Sequence, residues 1–215
     1  MSGSSAAAMT NRARECGLDV FYCNPTLGDG NCWYRAIVEQ IHRKSVYNSI
    51  PEVLRFTDVG LLRVQVLNYV RMNEKEFEFI REFRGVSYPL EKDWENFLSN
   101  QSRNTVYVEH LAILCTAYFL GVEIRVTTET CNKERPFFSY NGDSHSEISL
   151  WVANYQNCHF QSLIPTNDSV MKFEISNCLI FTTQTKTASN VKIPPPLKKK
   201  GIKRQSKSFT VKKTC

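Results

Sequence analysis

No run in this 215-residue chain approaches the roughly 18–20 consecutive apolar residues that span a bilayer, so no transmembrane helix and no membrane partner are expected. Met1 to Thr10 is small and polar and lacks the apolar core of a secretory signal, which argues against an oxidising destination. The eight cysteines (Cys16, Cys23, Cys32, Cys115, Cys131, Cys158, Cys178 and Cys215) contain no CxxC pair. Reduced thiols in a cytoplasmic or nuclear protein are therefore the reading. No internal repeat is present. Acidic residues are missing from 191–215, where nine Lys and Arg residues stand alone, whereas residues 1–168 hold 16 basic against 20 acidic residues. The net charge of +6 thus belongs to a tail, and the part that folds is mildly acidic.

What remains is one domain's worth of chain with ordinary hydrophobic content, large enough to bury a core. Residues 1–14 are Ser/Ala-rich without periodicity and read as disordered. Leu18 to Tyr22 alternates as a short strand. Cys32 to Lys44 carries Tyr34, Ile37, Val38 and Ile41 at helical spacing, with Asn31 as its cap. Asp58 caps the next helix, whose stripe is Leu61, Leu62, Val66, Tyr69 and Val70. Glu74 to Arg84 and a piece opened by Pro89 continue helically, and Val106 to Leu120 forms the most apolar helix, stopped at Gly121. Beyond it the period changes to two. Val122–Val126, Pro136–Tyr140, Glu147–Ala153 and Phe160–Ile164 read as strands, with an Asn141-Gly142 turn between the second and third. Helices first and strands later predict an α+β fold. The domain is expected over 15–168, with 169–190 as its extension, in which Met171–Thr183 adds a strand or two. Residues 191–215 form a disordered basic tail.

One stretch carries chemistry. Asp29-Gly30-Asn31-Cys32-Trp33-Tyr34-Arg35-Ala36-Ile37 puts a cysteine between a turn and the start of a helix. The positive end of a helix favours thiolate, and thiolate is the nucleophile. The same turn can aim main-chain N–H groups at one point, as an acyl-transfer oxyanion requires. A base is available far along the chain at His159, which opens His159-Phe160-Gln161-Ser162-Leu163 after a strand containing Trp151.

These two blocks, with Tyr107 to Cys115 between them, resemble the ovarian tumour (OTU) family of cysteine proteases over residues 18–165. The family's first block reads Asp-Gly-Asn-Cys-Leu-Tyr-Arg-Ala, from which this chain differs only by Trp33. Its last block reads His-aromatic-Asx-Ser-Leu. The resemblance implies a papain-like fold, a small sheet flanked by helices, and hydrolysis of isopeptide bonds at the C-terminus of ubiquitin. Carried over, Cys32 is the nucleophile, His159 the general base and Asp29 the acidic residue of the turn. Main-chain N–H groups near Asp29, Asn31 and Cys32 are the oxyanion donors. No metal or organic cofactor is implied. The partners are ubiquitin or polyubiquitin chains and ubiquitin-like modifiers. One position departs from the pattern, because Gln161 stands where the family has Asp or Asn to orient the imidazole. Strand alternation puts 159 and 161 on one face, and an amide oxygen can accept the imidazole N–H. Asn154 and Asn157 are the weaker substitutes.

Other features have plainer explanations. Cys158, His159, Cys131 and His145 lack the short paired spacings of a zinc site. Trp33 either lines the channel for a substrate tail or packs in the core. Glu109, His110, His42 and Cys115 need no chemistry. The run Lys198-Lys199-Lys200-Gly201-Ile202-Lys203-Arg204 resembles a nuclear-localisation or nucleic-acid-contacting segment, and nucleic acid would be met only through 198–213. Two rival readings follow: a catalytically silent ubiquitin-binding module, suggested by Gln161, and a nucleic-acid-associated protein acting through its tail.

Overall fold

The strand signals at the two ends of the sequence meet in a single sheet. β1 (Phe21–Asn24), β2 (Glu123–Thr128), β3 (Phe138–Asn141), β4 (Ser149–Tyr155) and β5 (His159–Pro165) hydrogen-bond in the order β1-β5-β4-β2-β3. β2 and β4 run parallel and the other pairs antiparallel. The computed structural model describes residues 2–19, 21–77, 91–142, 146–156 and 159–170. Ile180–Cys215 lies wholly outside the described residues. So do the expected strands within 171–183, the basic tail, and the end of the helix expected over 74–84, which begins as a single turn of tight helix at Glu74–Phe77.

The two-residue period of each strand separates two cores. Leu150, Val152 and Phe160 face a large cluster supplied by α2 (Cys32–Ile41), α4 (Val59–Met72), α5 (Glu91–Gln101) and α6 (His110–Leu120), with the four-residue α3 (Lys44–Tyr47) following α2. Ala153 and Leu163 face the other way, with Cys23 and Phe21 of β1, onto α1 (Ser2–Glu15). The segment expected to be disordered over 1–14 is instead helical from Ser2. Ala6, Met9, Ala13 and Cys16 recur at helical spacing and bury a stripe against Trp151 and Tyr155. Small residues concealed that stripe, although alanine is the strongest helix former.

Several boundaries moved for physical reasons. Gly17 turns the chain at φ +81° after α1, so Leu18 closes that helix and β1 starts at Phe21. The helix expected from Val106 begins at His110, because the carbonyls of Gln101, Arg103 and Val106 turn inward onto the buried Arg63 guanidinium. Asp58 caps α4 through Leu61 N–H at 2.8 Å, and Gly121 ends α6 in the left-handed region at φ +65°.

Gln40 fixes α2 on the sheet. Its amide donates to Ser162 Oγ (2.7 Å) and to the Leu163 carbonyl (2.8 Å), and its Oε1 accepts from Trp151 N–H (2.8 Å). With its last turns pinned to β5 and β4, the first residue of α2 is carried to the start of β5.

Candidate active site

Cys32 is the first residue of α2, and its Sγ accepts the main-chain N–H of Phe160 at 3.4 Å. The thiol and the first residues of β5 are thus brought together, as the two distant blocks require. The ring of Trp33 packs edge-on to Phe160 at 5.0 Å, and its indole N–H donates to Thr116 Oγ1 at 3.2 Å. Trp33 is fully buried, so it belongs to the core and braces the two halves of the site from below.

His159 lies against the turn at Gly28. A Cβ placed on Gly28 would stand 3.6 Å from His159 Nδ1, so the imidazole sits directly on the main chain there. Burial pushes the imidazole down from its ordinary range. Burial also pushes the Cys32 thiol up, against the opposing pull of the Phe160, Trp33 and Cys32 N–H groups. Both shifts favour the uncharged form, a neutral thiol at Cys32 and a neutral imidazole at His159. A neutral imidazole can take the thiol proton as attack proceeds, which makes acyl transfer the chemistry this arrangement can perform.

Asp29 shapes the turn. Its Oδ1 accepts the Asn31 N–H at 3.1 Å, and its Oδ2 pairs with Arg35 Nη2 at 2.5 Å. Partial burial would raise this carboxyl, but the Arg35 guanidinium and the Asn31 N–H hold it below its ordinary value. Of the expected oxyanion donors, the Asn31 N–H is thus occupied by Asp29. Gly30 sits at φ +78°, and a Cβ there would lie 2.2 Å from the Thr105 main chain. Only glycine fits.

Gln161 occupies the same strand face as His159, but its oxygen is engaged elsewhere: the Cys23 thiol donates to Gln161 Oε1 at 2.9 Å, in a fully buried position. Asn154 lies opposite Phe160 in the ladder, hence on the Cys32 face, with a buried Oδ1 that has no hydrogen-bond partner among the described residues. Asn157, His145 and Cys158 fall outside the described residues. Among the described residues no group of three His, Cys, Asp or Glu side chains could hold a metal ion. No helix among them is long and apolar enough to cross a membrane.

Arg63, Gln40, Cys23 and Arg35 also belong to the surroundings of the site, and no motif in the sequence marks the first three. A signal existed for Arg63: it falls on the stripe of Val59, Leu62, Val66, Leu67 and Val70 that α4 buries, where an arginine needs a reason.

A family model described as OTU-like cysteine protease matches residues 27–162. Among solved structures the chain is similar to the OTUD1 OTU domain, with 17% identity and a TM-score of 0.52, over 75% of this chain and 98% of that one. It is similar also to the viral OTU domain protease from Taggert virus, with 18% identity and a TM-score of 0.50, over 73% of this chain and 86% of that one. At these identities the likeness is one of fold. No curated protein matches the chain in sequence.

Proposed function

The chain belongs to the OTU-like cysteine protease family, and from that premise we propose that it is a deubiquitinase using Cys32 and His159. The observation that carries the proposal is the meeting of the two halves: Phe160 N–H on Cys32 Sγ, with the imidazole of the preceding residue against Gly28. In the proposed reaction the Cys32 sulfur bonds to the carbonyl carbon of ubiquitin's terminal glycine while His159 takes the thiol proton. The tetrahedral oxyanion is stabilised by main-chain N–H groups of the Asp29–Cys32 turn other than that of Asn31, which stays on the Asp29 carboxylate. Collapse breaks the C–N bond, and His159 returns the proton to the departing lysine amine. Water then hydrolyses the thioester, with His159 as base.

Asp29 serves this scheme by holding the turn, and Gln161 by lying on the imidazole's strand face. The mild acidity of residues 1–168 suits the basic tail of ubiquitin, and ubiquitin-like modifiers with similar tails are candidate substrates. Cytoplasm and nucleus are the proposed compartments, and a nucleic-acid or targeting role of 198–213 is retained as a separate hypothesis. The engagement of Gln161 by Cys23 favours one second reading, a silent ubiquitin-binding module. A ubiquitin probe with a C-terminal electrophile separates the two. Covalent labelling that disappears in Cys32→Ala supports the enzyme, and folded wild-type protein that binds ubiquitin without labelling would establish the silent module.

A further inference from the structure

Arg63 projects from α4 into the core and is fully buried. Its guanidinium donates to four main-chain carbonyls: Gly30 (2.6 Å), Val106 (2.9 Å), Gln101 (3.3 Å) and Arg103. The same group stacks 4.8 Å over the Tyr34 ring. Burying a cation is costly unless its donors are satisfied. Here carbonyl dipoles and an aromatic face compensate the two Nη groups, Nε has no hydrogen-bond partner among the described residues, and the titratable groups within electrostatic reach are Tyr34, Cys32 and Asp29.

The Gly30 carbonyl is the informative acceptor. In a trans peptide the C=O and the following N–H point in opposite directions. Arg63 holds the Gly30 oxygen, and Asp29 Oδ1 holds the Asn31 N–H on the other side of that plane. The plane is gripped at both ends one residue before the nucleophile. The other three acceptors tie the same guanidinium to 101–106, the segment whose Thr105 main chain leaves no room for a Cβ on Gly30.

We infer that Arg63 is a positioning residue for the active turn, clamping the Gly30–Asn31 peptide that leads into Cys32 while bringing a buried positive charge to the nucleophile. The role acts through the turn and involves no contact with substrate. It rests on Cys32 being the reactive thiol, and its test does not require ubiquitin.

The full chain is compared with Arg63→Lys and Arg63→Met, reading alkylation of Cys32 by iodoacetamide across pH through the Cys32 peptide in mass spectrometry, and deuterium uptake of the same peptide. Arg63→Met is expected to slow Cys32 alkylation at neutral pH about tenfold and to move its profile alkaline, the usual effect of removing a nearby opposite charge from a thiolate. Arg63→Lys keeps the charge but not the planar fork, so its profile is expected to stay near wild type while deuterium uptake around 30–32 rises. If only Arg63→Lys folds, its exchange decides. Folded variants with unchanged profile and exchange would overturn the inference, and so would failure of both to fold, which would assign Arg63 to core stability alone. Wild-type protein that ignores the ubiquitin probe but shows these Arg63 effects would sink the deubiquitinase reading and leave this one standing.

Discussion

At the scale of single residues, burial sets the protonation of the proposed nucleophile. It raises the Cys32 thiol and lowers the His159 imidazole, so each favours its uncharged form. A pre-formed thiolate–imidazolium pair would react with alkylating agents well into the acid range. Here Cys32 alkylation is expected to climb steadily through neutral pH into the alkaline range, with no acid plateau. An acid plateau lost in His159→Ala would instead reveal an ion pair. The orienting role is testable at the same scale. Gln161 Oε1 accepts from Cys23, so an orienting role has to use the second lone pair of that oxygen. Gln161→Ala is expected to lower probe labelling by about tenfold or more through loss of imidazole orientation. Unchanged labelling there, with a loss in Asn154→Ala, would move the role to the Asn154 Oδ1, which has no hydrogen-bond partner among the described residues.

At the scale of elements, legibility followed periodicity and caps. α4 with its Asp58 cap, the Gly121 stop and the two-residue alternation of β2, β4 and β5 were readable, because each imposes a pattern on neighbouring residues. The late start of α6 was not, because its cause is Arg63, more than thirty positions earlier in sequence. The cysteine turn was readable as chemistry, but the three arginine-held carbonyls that complete its surroundings come from a segment with no motif. α1 is hard to read in the sequence because half of its buried stripe is alanine, which hydropathy barely registers. Its single large core side chain gives the check. Met9 is 1% exposed, and Met9→Ala is expected to cost about 2–3 kcal/mol in denaturant unfolding, whereas a disordered terminus would tolerate it freely. Gly30→Ala tests the turn itself. Positive φ and the Thr105 main chain both forbid the methyl, and a loss of about 3 kcal/mol together with loss of probe labelling is expected.

At the scale of the whole molecule, stability should depend on pH through an acid in the middle of the fold. Glu39 lies on α2 between β1 and β5, where Asn24 Nδ2 donates to its Oε1 at 2.9 Å. Burial pushes its carboxyl up to about 7 despite the opposing Asn24 and Ser162 hydrogen bonds. The folded state therefore binds this proton more tightly than the unfolded chain. The stability it contributes is complete below the unfolded value of 4.5 and is lost as pH rises through about 7. Other groups act in the opposite sense. His42 and His159, both lowered by burial, withdraw stability as pH falls through the histidine range. Asp29 and Asp168, lowered by their hydrogen bonds in spite of burial, withdraw it further down. Wild type alone cannot separate these contributions, but a neutral isostere can. Glu39→Gln keeps the oxygen that accepts from Asn24 and removes the charge. At pH 4.5 it should unfold with the same midpoint as wild type. Between there and about pH 8 its advantage should grow to on the order of 2–3 kcal/mol, at ~1.4 kcal/mol per pKa unit, and then level off. In a domain of this size that is roughly 5–10 °C in thermal midpoint. A constant difference across the range would mean that Glu39 is ionised throughout, with water or a cation reaching the β1–α2 seam. The seam would then be open to solvent from the side on which β1 leads into the cysteine turn.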